Sequence, residues 1–420
     1  MTATEPKVPT DSPLQGVRVL ELAQYIAGPL AGQQLADFGA EVIKIERPES
    51  GDPFRTYAGG RNVENYGFNY RAYNRNKKSL ALDLGTADGQ QVVKRIAASV
   101  DVVLENFRPG VMDRLGIGYE ALRQINPAII YCGVSGFSPD GPYRNRPAFD
   151  TVGQALSGIL YLFLDPENPQ LRGPTVADQA TALQAATAIM AMLCGRQKHG
   201  KGGRIDITMV DAAAAFIPDV YAGHTDAGVA VLPDSRVALS QAFVTACADG
   251  KLLAVQLGGL DKAFFSLIAE LGCPALADDP LFHARRDRSA NWSRLVDILR
   301  PYFARQPRSH WMQRFSEIGI PCSEVLTIPE VFECPEVVHS GLFETREHPQ
   351  AGPVTMMKRP ARINQSRGPQ QSFPPLLGEQ SESILRDVGY TDDEIAGMRA
   401  AGAFGEWDES RAQGGEQNGR

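Results

Sequence analysis

The chain lacks the signatures of most ligand chemistries. Its six cysteines (Cys132, Cys194, Cys247, Cys273, Cys322 and Cys334) form no Cys-x-x-Cys pair. That argues against a zinc site or a disulfide frame and fits reduced thiols. The six histidines form no His-x-x-x-His pattern, so a metal hydrolase has no ligand set and no metal site is expected. There is no P-loop. The turn from Gln24 to Gly32 reads Gln-Tyr-Ile-Ala-Gly-Pro-Leu-Ala-Gly, not the dinucleotide fingerprint. Gly116-Ile-Gly118 fits that spelling loosely but follows a helix rather than a strand, and reads as a helix–helix turn. Positive charge is outweighed: 42 Lys and Arg against 49 Asp and Glu give a net charge of −7, which excludes general nucleic-acid affinity. No apolar run reaches spanning length, and the opening Met-Thr-Ala-Thr-Glu-Pro-Lys has no apolar signal core. No membrane association and a cytoplasmic location are expected.

What is present is ordinary globular composition, 43% hydrophobic and 22% charged, in 420 residues, long enough for two domains. Short apolar strands alternate with helical segments from Val17 onward: 17–22, 42–46, 79–84, 101–105, 128–132 and 204–209. That rhythm predicts an α/β fold, a Rossmann-like doubly wound parallel sheet covered on both faces. After residue 222 the texture shifts to two short strands and several helices, a smaller α+β domain. The expected organisation is 1–222 for the first part of the large domain and 223–318 for the small one. Residues 319–420 would form a linker and return to the large domain, with a disordered tail from about 407. The span 47–78 has no clear period and carries six aromatic residues, which marks it as a working loop.

Candidate chemistry centres on Asp178. It follows the Gly173-Pro174 break and stands at the first turn of a long apolar-rich segment. A carboxylate at a helix N-terminus is either a cap or a candidate nucleophile toward an activated acyl group. Asp150 is likewise a second functional carboxylate or a cap. Tyr25 and Ile26 are core or site-lining residues. Arg47 and Arg108 fall just past the ends of expected strands and Lys77 and Lys78 just before one, with Arg114 further on. Singly each reads as solvated charge; together they make a basic rim where open α/β sheets bind phosphate-bearing ligands.

Several segments resemble the family III CoA-transferases, the group of formyl-CoA transferase and carnitine CoA-transferase, in one order along nearly the whole chain. They are Pro13-Leu-Gln-Gly16-Val-Arg-Val-Leu, Ala27-Gly28-Pro29, Gly39-Ala-Glu-Val-Ile-Lys-Ile-Glu-Arg47-Pro48, Asn74-Arg-Asn-Lys77-Lys78-Ser79, Glu105-Asn106-Phe107-Arg108-Pro109-Gly110, Asp113-Arg114-Leu-Gly116, Asn126-Pro127, Gly133-Val-Ser-Gly136 and Pro375-Leu-Leu-Gly378-Glu379. The resemblance implies that Asp178 is the nucleophile and that Arg47, Lys77, Asn106, Phe107 and Arg114 line the CoA site. It implies a glycine-bearing lid at Gly258 and Gly259 and a homodimer of interlocked rings. No permanently bound cofactor is implied; a coenzyme A thioester, with succinyl-CoA a frequent donor in the family, and a carboxylic acid are the substrates. A second carboxylate on the acid would meet Arg172 or Arg236, unless these are surface arginines. The rival readings are an α-methylacyl-CoA racemase, a non-catalytic acyl-CoA-binding scaffold and a CoA hydrolase. Racemases resemble one another in Gly-His-Asp-x-Asn-Tyr, and here Phe149 stands in the histidine's place. A phenyl ring carries no proton.

Overall fold

The computed structural model describes residues 12–57, 63, 65–165, 167–228 and 231–405. The expected N-terminal arm, up to residue 11, and the expected tail from about 407 lie outside the described residues. The chain divides into two compact units. The larger takes the chain up to Leu160, Gly173–Pro218 and the chain from Gly341 onward; the smaller takes Tyr161–Arg172 and Asp219–Ser340.

Six strands of the large unit run parallel: β1 (Arg18–Leu22), β2 (Glu41–Glu46), β3 (Lys77–Leu82), β4 (Val102–Glu105), β5 (Ile130–Ser135) and β6 (Gly203–Thr208). In sheet order they stand 3-2-1-4-5-6, so the winding reverses between β1 and β4. That reversal opens a crevice at the strands' carboxyl ends, where ligands of this architecture bind. Two-sided burial explains the composition of the strands: Val19, Leu20, Val103 and Leu104 are all fully enclosed. One face packs Leu20, Ile43, Leu80 and Val103 against Val92, Val93 and Ile96 of the helix Ala87–Ala97. The other packs Val19, Val42, Val102 and Ile130 against the helices Ala27–Asp37 and Val176–His199. That is the doubly wound α/β layer expected.

In the small unit β7 (Ala242–Ala246), β8 (Leu252–Gln256) and β9 (Cys322–Glu324) form an antiparallel sheet. Helices including Trp292–Phe303 and Arg308–Ile318 pack on it through Leu295, Leu299, Trp311 and Phe315. The boundary expected from the sequence is 318. Pairing of Val255 with Cys322 instead keeps the chain in the small sheet, and the unit runs on to Ser340. Past it, β10 (Phe343–His348) and β11 (Gly352–Met357) make a hairpin in the large unit. A last strand, β12 (Phe404–Gly405), closes the edge of the large sheet antiparallel to β3.

Candidate active site

The helix Val176–His199 starts two residues after Pro174 and ends at Gly200, whose φ of 69° is the left-handed stop that glycine supplies. Arg196, Lys198 and His199 fill its last turn, complementing the helix dipole. Asp178 is the third residue of this helix, inside its first turn, and is half-buried. It is not the cap. Its backbone N–H donates to Oδ1 of Asp150 at 3.1 Å, so the cap is lent by a residue 28 positions earlier. Asp150 opens its own short helix, Asp150–Leu156, and Gln154, one turn on, donates its side-chain amide to Oδ2.

Among the described residues, no cation pairs with the Asp178 carboxyl. Burial first, and the Asp150 charge second, push it up to about 7. The dipole of its own helix works the other way but is outweighed. A carboxylate poised near neutral pH, with its charge unneutralised, is available to attack.

Aromatic rings stand around it. The Tyr25 ring meets Phe149 edge-on at 5.5 Å and Phe54 at 5.3 Å. Phe54 continues to Tyr57 and Tyr73, and the Tyr73 hydroxyl accepts from Gln179 at 3.5 Å. Burial and then the Asp178 charge raise the Tyr73 hydroxyl above its ordinary range. Phe149 remains 61% exposed although it sits beside Asp150, so the ring faces open space rather than core. Ile26 is buried against this group and belongs to its packed backing.

The crevice between β1 and β4 is bridged by Asn106. Its side chain accepts from the Gln24 N–H at 2.9 Å and donates to the Gln24 carbonyl at 2.8 Å. Phe107 follows, half-buried on the core, with its N–H donating to Glu105 at 2.8 Å. Burial pushes Glu105 up to about 7. Arg47 past β2, and Arg108 and Arg114 past β4, are exposed. Lys77 is not on that rim. Its Nζ is fully enclosed, paired with Glu21 at 2.8 Å and donating to the Pro29 carbonyl at 2.7 Å and to Asn74 at 2.9 Å. Burial, partly offset by Glu21, brings Lys77 down to about 8. Lys78 lies at the surface with Glu41.

Sequence reasoning passed over the charged layer beneath the site. Glu21, Lys44, Asp52, Glu46 and Arg55 are all enclosed. Burial works against the Lys44 charge, but Asp52, Glu21 and Glu46 outweigh it and raise its pKa. Burial also opposes the Glu46 charge, yet the Arg55 fork, at 2.7 and 2.8 Å, and Lys44 hold that carboxyl down at about 2. The Asp52-Pro53 step was the one available signal, since Asp-Pro favours a turn.

Gly258 and Gly259 belong to the small unit, in the turn after β8, both with left-handed φ of 62° and 70°. A Cβ on Gly259 would meet the Arg285 guanidinium. Arg172 and Arg236 are exposed in that same unit. A cavity of about 640 Å³ in the small unit, lined by Phe243, Trp292, Val296 and Arg300 among others, includes none of the expected site residues. Among the described residues no cluster of three His, Cys, Asp or Glu could hold a metal, and no helix is long and apolar enough to cross a membrane.

Residues 14–381 match the model of CoA-transferase family III. The succinyl-CoA:glutarate CoA-transferase of Homo sapiens is 35% identical over 391 residues, spanning 92% of this chain and 88% of that protein. The succinyl-CoA–D-citramalate CoA-transferase of Chloroflexus aurantiacus is 34% identical over 92% of this chain and 97% of its own. Among solved structures, a CAIB/BAIF family protein from Brucella suis superposes with a TM-score of 0.79 at 32% identity, covering 90% of this chain and all of that one. The chain belongs to CoA-transferase family III. It is an enzyme of the CoA-transferase class, and CoA thioesters and carboxylates are its substrate classes.

Proposed function

We propose that the enzyme moves CoA between two carboxylic acids by covalent catalysis at Asp178. The observation that carries this is the carboxyl itself: half-buried in a helix's first turn, paired with no cation among the described residues, and pushed up to about 7. Its carboxylate attacks the acyl-CoA carbonyl and the C–S bond breaks, leaving a mixed anhydride and the CoA thiolate. The thiolate attacks the aspartyl carbonyl, releasing the donor acid and leaving an aspartyl-CoA thioester. The acceptor carboxylate then attacks that thioester, forming a second anhydride and freeing thiolate again. Attack on the acceptor's acyl carbon yields the new acyl-CoA and restores Asp178. No proton or water is consumed, and each step exchanges acyl groups of similar energy.

In this reading Arg47 and Arg114 meet the phosphates of CoA. Asn106 and Phe107 line its path over the β1–β4 crevice. Lys77 acts from below, by holding the first turn of the helix Ala27–Asp37 through the Pro29 carbonyl, since its Nζ is fully engaged. The Gly258–Gly259 turn is assigned the lid that keeps water from the anhydride. Donor identity (succinyl-CoA in the simplest case), the interlocked-ring homodimer and a cytoplasmic location complete the reading. Six free cysteines, none in a disulfide, agree with a reducing compartment.

The test is exchange of labelled CoA between acids, with a panel of acids and succinyl-CoA read by mass spectrometry. Asp178→Ala is expected to abolish exchange, and quenched wild-type protein to carry a CoA adduct. Undiminished exchange by the variant refutes the assignment.

A further inference from the structure

Tyr25 has a φ of 66°, the left-handed region that a bulky side chain enters only when its surroundings impose it. The surroundings are a row of enclosed charges. The Tyr25 N–H donates to Oδ1 of Asp52 at 3.1 Å, and that oxygen also accepts from the Phe54 N–H at 3.0 Å. Oδ2 of Asp52 pairs with Lys44 at 3.0 Å, and Lys44 pairs with Glu21 at 3.0 Å. Glu21 pairs in turn with Lys77. These side chains are at most 1% exposed. Each cation also fixes a carbonyl nearby: Lys44 takes Ala23 of the loop at 2.6 Å, and Lys77 takes Pro29, in the first turn of the helix that follows, at 2.7 Å. With Asn106 holding Gln24 on both sides, residues 23, 24, 25 and 29 are each pinned by a side chain.

The pinned segment delivers one half-buried ring, Tyr25, lodged between Phe54 and Phe149. Phe149 precedes Asp150, whose carboxylate holds the Asp178 N–H. We propose that Asp52 is a positioning residue for CoA transfer: it acts through Tyr25, setting that ring as a wall of the acyl site and so helping to select the acceptor acid. This rests on Asp178 being the nucleophile. A core whose only task was stability would be served as well by apolar residues of the same volume. Two cations and two carboxylates placed under the four-residue loop 23–26 and the first turn of the helix after it fix a conformation instead.

The experiment is a kinetic double-mutant cycle with Asp52→Ala and Tyr25→Gly, measuring acceptor KM, kcat and inhibition by free CoA. Glycine removes the ring and relieves the left-handed backbone at once, so folding is not the casualty. Asp52→Ala alone is expected to raise acceptor KM about tenfold and leave inhibition by free CoA unchanged. In the Tyr25→Gly background it is expected to add less than about twofold. If Asp52→Ala does not fold, Asp52→Ala combined with Lys44→Met removes one charge of each sign and leaves Glu21 paired with Lys77. Fully additive losses, or an unchanged acceptor KM in a folded variant, overturn the proposal. If neither Asp52 variant folds, Tyr25→Gly decides alone: a raised acceptor KM supports it and an unchanged one overturns it. Asp178→Asn runs in parallel. Exchange surviving in that variant sinks the nucleophile reading, whereas a dead Asp178→Asn with no Asp52–Tyr25 coupling sinks only the clamp.

Discussion

Oδ1 of Asp150 accepts the backbone N–H of Asp178 at 3.1 Å, so the residue that caps the long helix is also the charge that, with burial, raises the pKa of the candidate nucleophile. One contact separates the two carboxylates structurally. Asp150 supplies the cap. Asp178, relieved of capping, keeps its own oxygens for other work.

A pH profile reads this directly. If Asp178 is the nucleophile, only its charged form attacks, and its carboxyl is pushed up to about 7. The rate at low substrate is therefore expected to climb as pH rises through about 7 and then level off. Asp150→Asn keeps an oxygen for the Asp178 N–H but deletes the neighbouring charge. The midpoint should move down by roughly one pH unit. A midpoint that stays in place in the variant would mean that Asp150 does not tune Asp178.

The same shift has a cost in stability, with a definite sign. Asp178 holds its proton more tightly folded than unfolded. Its contribution to stability is fully present below the unfolded value near 4 and is lost as pH rises through about 7. Asp178→Asn has no such loss. Above pH 8 it is expected to be more stable than wild type by about 1–2 kcal/mol, allowing for the half-exposed carboxyl. Near pH 4 the two should unfold alike. Denaturant titrations at both pH values check this; a gap that fails to widen with pH contradicts it.

The basic residues should separate into two kinds. Lys77 is fully enclosed, and Lys77→Met leaves a buried network with one carboxylate too many, at a cost of about 3–5 kcal/mol. Arg47 and Arg114 are exposed, and alanine there should change stability by less than about 0.5 kcal/mol. If they hold phosphates, alanine raises KM for the CoA thioester several-fold, on the order of tenfold at low salt. Thermal melts alongside KM measurements distinguish the two. A Lys77→Met protein that melts like wild type but binds CoA poorly would return Lys77 to the rim.

How much of this was legible follows from what side-chain pattern encodes. The parallel sheet could be read because strands covered on both faces are continuous apolar runs, as in Val19-Leu20 and Val103-Leu104. Asp178 could be read because Gly173-Pro174 stops the chain just before a long apolar segment. The charged layer could not. Lys44 and Glu46 alternate with Val42, Ile43 and Ile45 in β2, and a charge within a strand reads as a solvent face unless its partner is known. Those partners, Glu21, Asp52 and Arg55, come from other segments. Asp150 lies 28 residues from the backbone it caps, beyond the reach of any local capping signal. The left-handed Tyr25 is invisible for a related reason: no glycine marks the position, and the conformation is enforced from Asp52. Even the small domain's end was misplaced by a long-range pairing, Val255 with Cys322.

The contrast with racemase chemistry yields the last prediction. Moving a proton across an α-carbon needs titratable groups on both of its faces, one to take the proton and one to return it. Asp178, near 7, would serve as one. The ring standing next to Asp150 is Phe149, 61% exposed and edge-on to Tyr25, so that position offers carbon where an imidazole would be required. Each group must also serve as base in the reverse direction, and Tyr73, whose hydroxyl burial and the Asp178 charge raise, is a poor base at neutral pH. In D₂O, a 2-methyl-branched acyl-CoA incubated with the enzyme should therefore gain no deuterium at the α-carbon, while labelled CoA passes between acids in the same tube. Mass spectrometry of the recovered thioester gives both readings. Deuterium gain without acid exchange would favour proton transfer over acyl transfer, and would leave Asp178 a base rather than a nucleophile.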